Sequence, residues 1–386
     1  MIGKKVSIIM PCYNAGKYIG DAIQSVLDQN TEYQLIIVDD GSTDDTLNVV
    51  KRYSGNIKLV QSTHSGVANA RNKAISQLTG DYVLLLDADD SLERGALGIL
   101  LDAVSGKNGI AYGRFSSWDP KMEKCLYAHH AVRLKPNPFI SLSRGNFSPP
   151  GSMIFPSGVF NEIGDFDQDV AGCEDWDFLI RLARAGYSFR RVNKPVFKYR
   201  RHMSSASNQA YRMYLSGRNV IQRCFQGDPR VARDRYPGGN TVDDHNQALL
   251  NYCASCFASA ILSNDIEAAK KILLDQNLNK YSNLKSFGRS FMRGLWWHSL
   301  TDFSNQEIVM KKAQSKASEV MARCIDNSTI SINAIKNILY PDFSQLLLRP
   351  GPKKAYRLLR EWLTAREVVN KLFDDNEIER KTTSQS

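Results

Sequence analysis

Short apolar runs alternate with amphipathic stretches over the first hundred residues. Val6 to Met10 is a β-rich run that ends in Pro11-Cys12-Tyr13-Asn14. Ile19, Ala22, Ile23, Val26 and Leu27 then recur at the spacing of one helix face. Leu35 to Val38 is wholly apolar, as a parallel strand covered on both faces must be, and it runs into Asp39-Asp40-Gly41-Ser42. Ser42 or Thr43 is placed to cap the next helix, and Asp44 and Asp45 suit its positive end. Leu47, Val50 and Tyr53 give that helix its buried stripe. Ile57 to Val60 predicts a third strand and Ala68 to Leu78 a helix. Tyr82 to Leu86 predicts a fourth strand, closed by Asp87-Ala88-Asp89-Asp90. Such a βαβαβαβ order calls for a doubly wound, mostly parallel α/β sheet with right-handed crossovers.

Beyond residue 100 the pattern is mixed. Ile110 to Phe115 and Val196 to Tyr199 read as strands, and Glu174 to Ala185 as a helix stopped by Gly186. Residues 116–150 show no clear period and are expected to form a loop or an acceptor-side insertion. From about residue 205 strand signals nearly vanish. Ala248 to Leu262 and Asp265 to Leu274 predict a helical hairpin around Ser263-Asn264. The last dozen residues are polar and expected to fray.

Composition narrows the class. The chain has 386 residues, 42% hydrophobic and 23% charged, enough for a core without disulfides. Seven scattered cysteines, odd in number and with Cys253-Ala254-Ser255-Cys256 as a lone close pair at helical spacing inside an apolar run, argue against a secreted disulfide framework or a zinc ribbon, and favour a reduced, cytoplasmic compartment. No apolar run approaches the ~20 residues of a membrane span, and Val6 to Met10 is too short for a signal-peptide core. A net charge of +10 suits anionic partners, but no basic helix or aromatic-studded sheet motif supports nucleic acid.

Candidate chemistry gathers where the strands end. In parallel sheets ligands sit beyond the C-terminal strand ends, and here two apolar strands deliver Asp39-Asp40 and Asp87-Ala88-Asp89-Asp90 to one edge. Crowded carboxylates repel unless a cation or donor ligand joins them. Asp44, Asp45 and Asp90 are adequately explained as solvated turn residues. An Asp-x-Asp after a buried strand fits a Mg²⁺ or Mn²⁺ ion shared with a diphosphate.

Five ordered motifs carry a resemblance. These are Val6 to Asn14 with Ile37 to Asp44, then Ser65 to Asn72, Leu86 to Asp90, Gly172 to Asp177, and Tyr199 to Ser205. Together they resemble the family 2 inverting glycosyltransferases of GT-A fold, over about residues 4–207. The resemblance implies a GT-A domain at 1–207 and a mainly α-helical C-terminal region at 208–386. It implies a nucleotide-sugar site formed by Pro11, Tyr13, Asn14, Asp39, Ser42, Arg71, Asp87 and Ala88. It implies a divalent metal, Mn²⁺ or Mg²⁺, on Asp89 with His202, and Asp175 as general base beside Glu174. The implied donor is a UDP- or GDP-linked sugar, and the acceptor a glycan or a lipid-linked glycan. The implied reaction moves one sugar in cell-envelope polysaccharide or glycoconjugate assembly.

Other readings remain open for single features. Glu174-Asp175 at a helix start also suits the helix dipole alone, and His202 in a basic segment could be a surface residue. His64, His129, His130, His245 and His298 show no ligand spacing. The tryptophans read as core, with Trp176 alone placed near an acceptor. Arg349 to Lys354, and the helix after it with Tyr356, Trp362, Arg357 and Arg360, suit either a packed surface or peripheral contact with the cytoplasmic face of a membrane. Processive synthases of the family carry QxxRW, whereas here Gln209-Ala210-Tyr211-Arg212 is followed by Met213, so single-sugar transfer is expected. A non-catalytic GT-A scaffold is the competing class, and the full set of carboxylates argues against it.

Overall fold

A computed structural model describes residues 4–276, apart from 54–56, 105–107, 135, 203–204 and 206–207, together with positions 287, 290, 291, 293–295, 317 and 320. The chain divides into two compact units, Met1–Tyr252 and Cys253–Ser386.

The first unit is built on strands β1 (Val6–Cys12), β2 (Tyr33–Asp39), β3 (Ile57–Gln61) and β4 (Tyr82–Leu85). They are parallel, with β1 between β2 and β4. Helices α1 (Ile19–Leu27), α2 (Thr46–Val50) and α3 (Val67–Ile75) join them, so the doubly wound half has the elements its periodicity predicts. Every residue of β1 and β4 is buried, which is why both read as unbroken apolar runs. Ser7 is the polar exception. Its hydroxyl donates to Gln34 at 2.7 Å and accepts the Gly80 N–H at 2.9 Å. A Cβ on Gly80 would lie 2.5 Å from the Ser7 nitrogen, so this backbone approach requires glycine.

After β4 the sheet becomes mixed. The chain continues through β5 (Ser91–Leu92), α4 (Ala96–Ala103), β6 (Gly109–Trp118), β7 (Cys125–His129), α5 (Pro138–Leu142), β8 (Met153–Pro156), α6 (Val159–Ile163), α7 (Glu174–Ala185) and β9 (Ser188–Arg200). Strand order is β3-β2-β1-β4-β8-β6-β9-β5, with β7 on β6. The loop expected over 116–150 is thus corrected, since it holds the end of β6, all of β7, and α5. Three of the five β7 residues are exposed, so that strand shows no apolar alternation to read. Likewise β9 runs well N-terminal of Val196 because its first half is mostly exposed.

Helix α7 is seated in the core on nearly all sides. Phe178 packs on Phe155, Phe160 and Phe166, with ring centroids 5.2, 5.4 and 4.5 Å away. Trp176 is buried, and its indole N–H donates to the Leu142 carbonyl at 2.8 Å. This corrects its placement near an acceptor. Gly186 ends the helix in the left-handed conformation, φ 88°. Buried charges fix the helix further. Asp177 meets Arg181 at 2.9 Å, Arg223 at 3.2 Å and Arg230 at 2.9 Å, while Arg184 meets Asp234 at 2.6 Å. These pairs fasten α7 to α8 (Ala210–Cys224) and to the chain after it.

The expected helical hairpin is present as α9 (His245–Leu262) and α10 (Ile266–Gln276). In the second unit Cys253, Phe257 and Ile261 are buried, as are Ala269, Ile272 and Leu273. The Cys253 thiol donates to the Ile272 carbonyl at 3.7 Å, and Phe291 packs on Phe257 at 5.3 Å. The six described cysteines are free thiols. No helix among the described residues is long and apolar enough to cross a membrane. The basic segment at 349–366 and Trp296, Trp297 and Trp362 lie outside the described residues.

Removing one member of a buried ion network leaves its partners uncompensated, at about 3–5 kcal/mol. Asp177→Ala is therefore expected to lower the urea unfolding free energy by about that amount, through Arg181 and Arg230.

Candidate active site

The ends of β1, β2 and β4 open on one edge of the sheet, and three sets of side chains gather there. The first set is the turn after β1 and its partner after β2. Asn14 has φ 49°, a left-handed conformation that asparagine tolerates. Its backbone N–H donates to the Ser42 hydroxyl at 2.9 Å, and its side-chain oxygen accepts the Thr43 N–H at 2.8 Å. Ser42 and Thr43 thus clasp the first turn and do not cap α2. Asp44 supplies that role, accepting the Thr46 N–H at 3.0 Å and the Gly16 N–H at 3.0 Å.

Pro11 is buried in β1 opposite Val38, and Asp39 is buried beside Cys12, accepting the Ser42 N–H at 3.3 Å. Burial, followed by the negative charge of Asp39, pushes the Cys12 thiol up to about 12, so it stays protonated. Tyr13 projects outward at 47% exposure and stacks on His64, with ring centroids 4.0 Å apart. His64, which shows no signal in the sequence, is brought there by Asp40. The Asp40 carboxylate lies 3.0 Å from His64 Nδ1 and accepts the Ser65 and Gly66 N–H groups at 3.0 and 2.7 Å.

The second set is centred on Arg71 of α3, 2% exposed. Its guanidinium donates to Glu174 Oε1 at 2.6 Å and to Asp87 Oδ1 at 2.7 Å. Burial works against that charge, but Asp87, Glu174 and Asp175 outweigh it and hold the group above its ordinary value. Glu174 Oε2 also accepts the Gly172 N–H at 2.6 Å. Asp175 Oδ1 accepts the Trp176 N–H at 2.7 Å, and Oδ2 accepts the Asn146 amide at 3.0 Å. Desolvation by the surrounding protein, then the charge of Glu174, pushes the Asp175 carboxyl up to about 7. Burial also raises Asp87, against the pull of Arg71.

The third set is Asp89 with His202, Oδ2 to Nε2 at 2.9 Å. Ala88 is buried between the two aspartates. Asp90 is not a solvated turn residue, as expected from sequence. It is buried, accepts the Arg200 N–H at 2.8 Å, and its carboxyl is pushed well up by burial and then by the charge of Asp89. Arg200 lies in the Tyr199–Ser205 motif, which assigned it no role of its own. It donates to the Asp89 carbonyl at 2.6 Å, the Pro120 carbonyl at 2.7 Å and Asp21 at 2.7 Å, so it aims the Asp87–Asp90 turn.

The donor set suits a divalent ion shared with a diphosphate. Asp89 and His202 already face each other, and Asp87, Asp89, Glu174 and Asp175 stand against the single guanidinium of Arg71. Among the described residues no three His, Cys, Asp or Glu side chains are set out as a complete metal cage. An ion here would draw further ligands from substrate.

Residues 7–161 match the model for glycosyl transferase family 2. These residues belong to that family. The match ends before Glu174, Asp175 and His202, which the fold brings back to the family 2 domain. Chondroitin synthase of Pasteurella multocida is 24% identical over 291 residues, covering 69% of this chain and 28% of that protein. The poly(ribitol-phosphate) beta-N-acetylglucosaminyltransferase TarP of Staphylococcus aureus is 41% identical over 122 residues, covering 28% of this chain and 37% of that one. The chain thus spans about a third of the length of these curated relatives. A crystal structure of S. aureus TarS 1–349 in complex with UDP covers 84% of this chain and 90% of that one, at 18% identity and a TM-score of 0.48.

Because Arg71 holds two carboxylates from distant parts of the chain, Asp87 and Glu174, a single ammonium cannot replace its fork. Arg71→Lys is expected to lower the melting temperature, as read by thermal unfolding. Arg71→Met is expected to destabilise by about 3–5 kcal/mol, since it leaves Glu174 buried and unpaired.

Proposed function

We propose that this chain is an inverting glycosyltransferase that moves one sugar from a nucleoside-diphosphate sugar, UDP-linked, to an acceptor hydroxyl in surface-glycan assembly. The observation that carries the reading is the Arg71 fork, which puts the Asp87 turn and the Glu174-Asp175 helix start in one cleft. Family 2 membership and relatives named as chondroitin synthase and an N-acetylglucosaminyltransferase support sugar transfer.

In this reading the Tyr13–His64 pair offers a flat surface for the base, with Pro11 and Asp39 behind it and the Asn14–Ser42 clasp shaping the rim. Arg71 stands close to the nucleotide, and Asp87 with Ala88 lines the approach to the ribose. Asp89 and His202 are the residues that would hold a manganese or magnesium ion. Such an ion, when bound, neutralises charge that builds on the departing diphosphate. Asp175 takes the proton of the acceptor hydroxyl. The hydroxyl oxygen then bonds to the anomeric carbon from the face opposite the diphosphate, whose bond to that carbon breaks, and the centre inverts. A carboxyl raised to about 7 is a competent base near neutral pH, and it is more basic than an ordinary aspartate. Glu174 is occupied by Arg71 and Gly172, so its part is to carry the fork. Met213, where processive synthases have Trp, accords with single transfer. Its sulfur packs 2.9 Å from where a Cβ on Gly172 would lie.

Asp175→Asn is expected to cut turnover by about 10²–10⁴-fold while UDP binding persists. Nucleoside-diphosphate release (UDP or GDP) from a panel of UDP- and GDP-sugars with manganese measures it, and near-normal turnover of the variant would sink the assignment. The raised carboxyl favours the native state only while protonated, so the native state loses that advantage as pH climbs through about 7. At pH 8 the Asn variant should therefore melt no lower than the parent. In the parent, kcat/KM should fall about tenfold per unit below pH 7.

A further inference from the structure

We propose that Asn146 is a positioning residue for Asp175, holding that carboxylate in the orientation and ionised state that proton removal requires. The inference rests on Asp175 being the base. Asn146 lies in the loop after α5, far from α7 in sequence. Its amide nitrogen donates to Asp175 Oδ2 at 3.0 Å, while its oxygen faces the Ser148 N–H at 3.5 Å. The oxygen end is turned to a donor, so the NH₂ end is the one presented to the carboxylate. Asp175 Oδ1 takes the Trp176 N–H, and among the described residues Asn146 is the one side chain that donates to Asp175.

The charged groups that face Asp175 make this donor matter. Glu174 on the same helix and Asp87 after β4 oppose its ionisation, and Arg71 from α3 favours it. The hydrogen bonds of Arg71 go to Glu174 and Asp87, so its help to Asp175 comes through space. A hydrogen bond donated to a carboxylate favours the charged form. Asn146 therefore offsets burial and the Glu174 charge at close range.

The loop that presents Asn146 is fixed on both flanks. Ahead of it, Trp176 holds the Leu142 carbonyl at 2.8 Å, and Tyr236 donates to the Asn137 side chain at 2.9 Å. Asn240 donates to the Ser143 hydroxyl at 2.7 Å, and Arg144 forks onto Asp243 at 2.9 and 2.6 Å. Behind it, the Ser148 and Ser152 hydroxyls meet at 2.6 Å. The stretch after α8 thus clamps a loop that reaches the cleft through this amide.

Unfolding temperature against pH tests the proposal without a known acceptor. The full chain is compared with D175N, N146A and N146A/D175N. The stability difference between parent and D175N should fall as pH rises from about 4 and level off near pH 7, and that levelling-off marks the midpoint of Asp175 ionisation in the native state. In the N146A background that midpoint should rise by about one unit, the scale of one charge-assisted bond. N146S keeps a donor and should return it part of the way. N146D, which keeps the volume, should move it further up, and it stands in if N146A does not fold. With the donor found by the panel, the acid limb of kcat/KM should shift alike. An unmoved midpoint with a transfer-dead D175N overturns the role of Asn146 alone. A D175N protein that still transfers sugar overturns the assignment of the base.

Discussion

A guanidinium taken out of water must be matched on its donor edges, and Arg71 is matched by carboxylates from two distant parts of the chain. Glu174 opens a core helix, and Asp87 follows a buried strand. Glu174 could not be buried there without the cation, and the cation could not be buried without Glu174 and the half-buried Asp87 beside it. The three groups therefore fix one another, and the cleft is assembled by the same charges that it offers to a ligand.

Around that fork the turns are held by further buried carboxylates whose task is local. Asp40 gathers the N–H groups ahead of α3, and Asp90 takes the Arg200 N–H. Arg200 then ties the Asp87–Asp90 turn to α1 and to the loop at Pro120. The acidic pairs thus separate by duty. In each, one member faces the cleft or its rim and the other anchors backbone. Such a cleft needs this because its turns carry charges that would otherwise repel each other and splay.

The proposed base is reached from the opposite direction. Asp175 sits at the first turn of α7, and α7 is immobilised by phenylalanine packing and by the Asp177 network beneath it. The chain after α8 completes that network and also clamps the loop that bears Asn146. Residues beyond the five motifs therefore help to set the electrostatics of the cleft.

The sequence by itself determined the parallel half of the sheet, α7 with its Gly186 stop, the α9–α10 hairpin, and the identity of the acidic groups at the strand ends. Those features are written in local periodicity, because a strand covered on both faces must be apolar throughout and a core helix must repeat its apolar face. Only the tertiary structure decided β7, β8 and the length of β9, whose exposed or short stretches carry no period. It alone decided that Asp90 anchors a turn, that Ser42 clasps Asn14, that Trp176 is core, and that His64, Asn146 and Arg200 belong to the cleft. Each of those depends on a partner tens of residues away, and a polar side chain leaves no periodic trace of the partner it will meet.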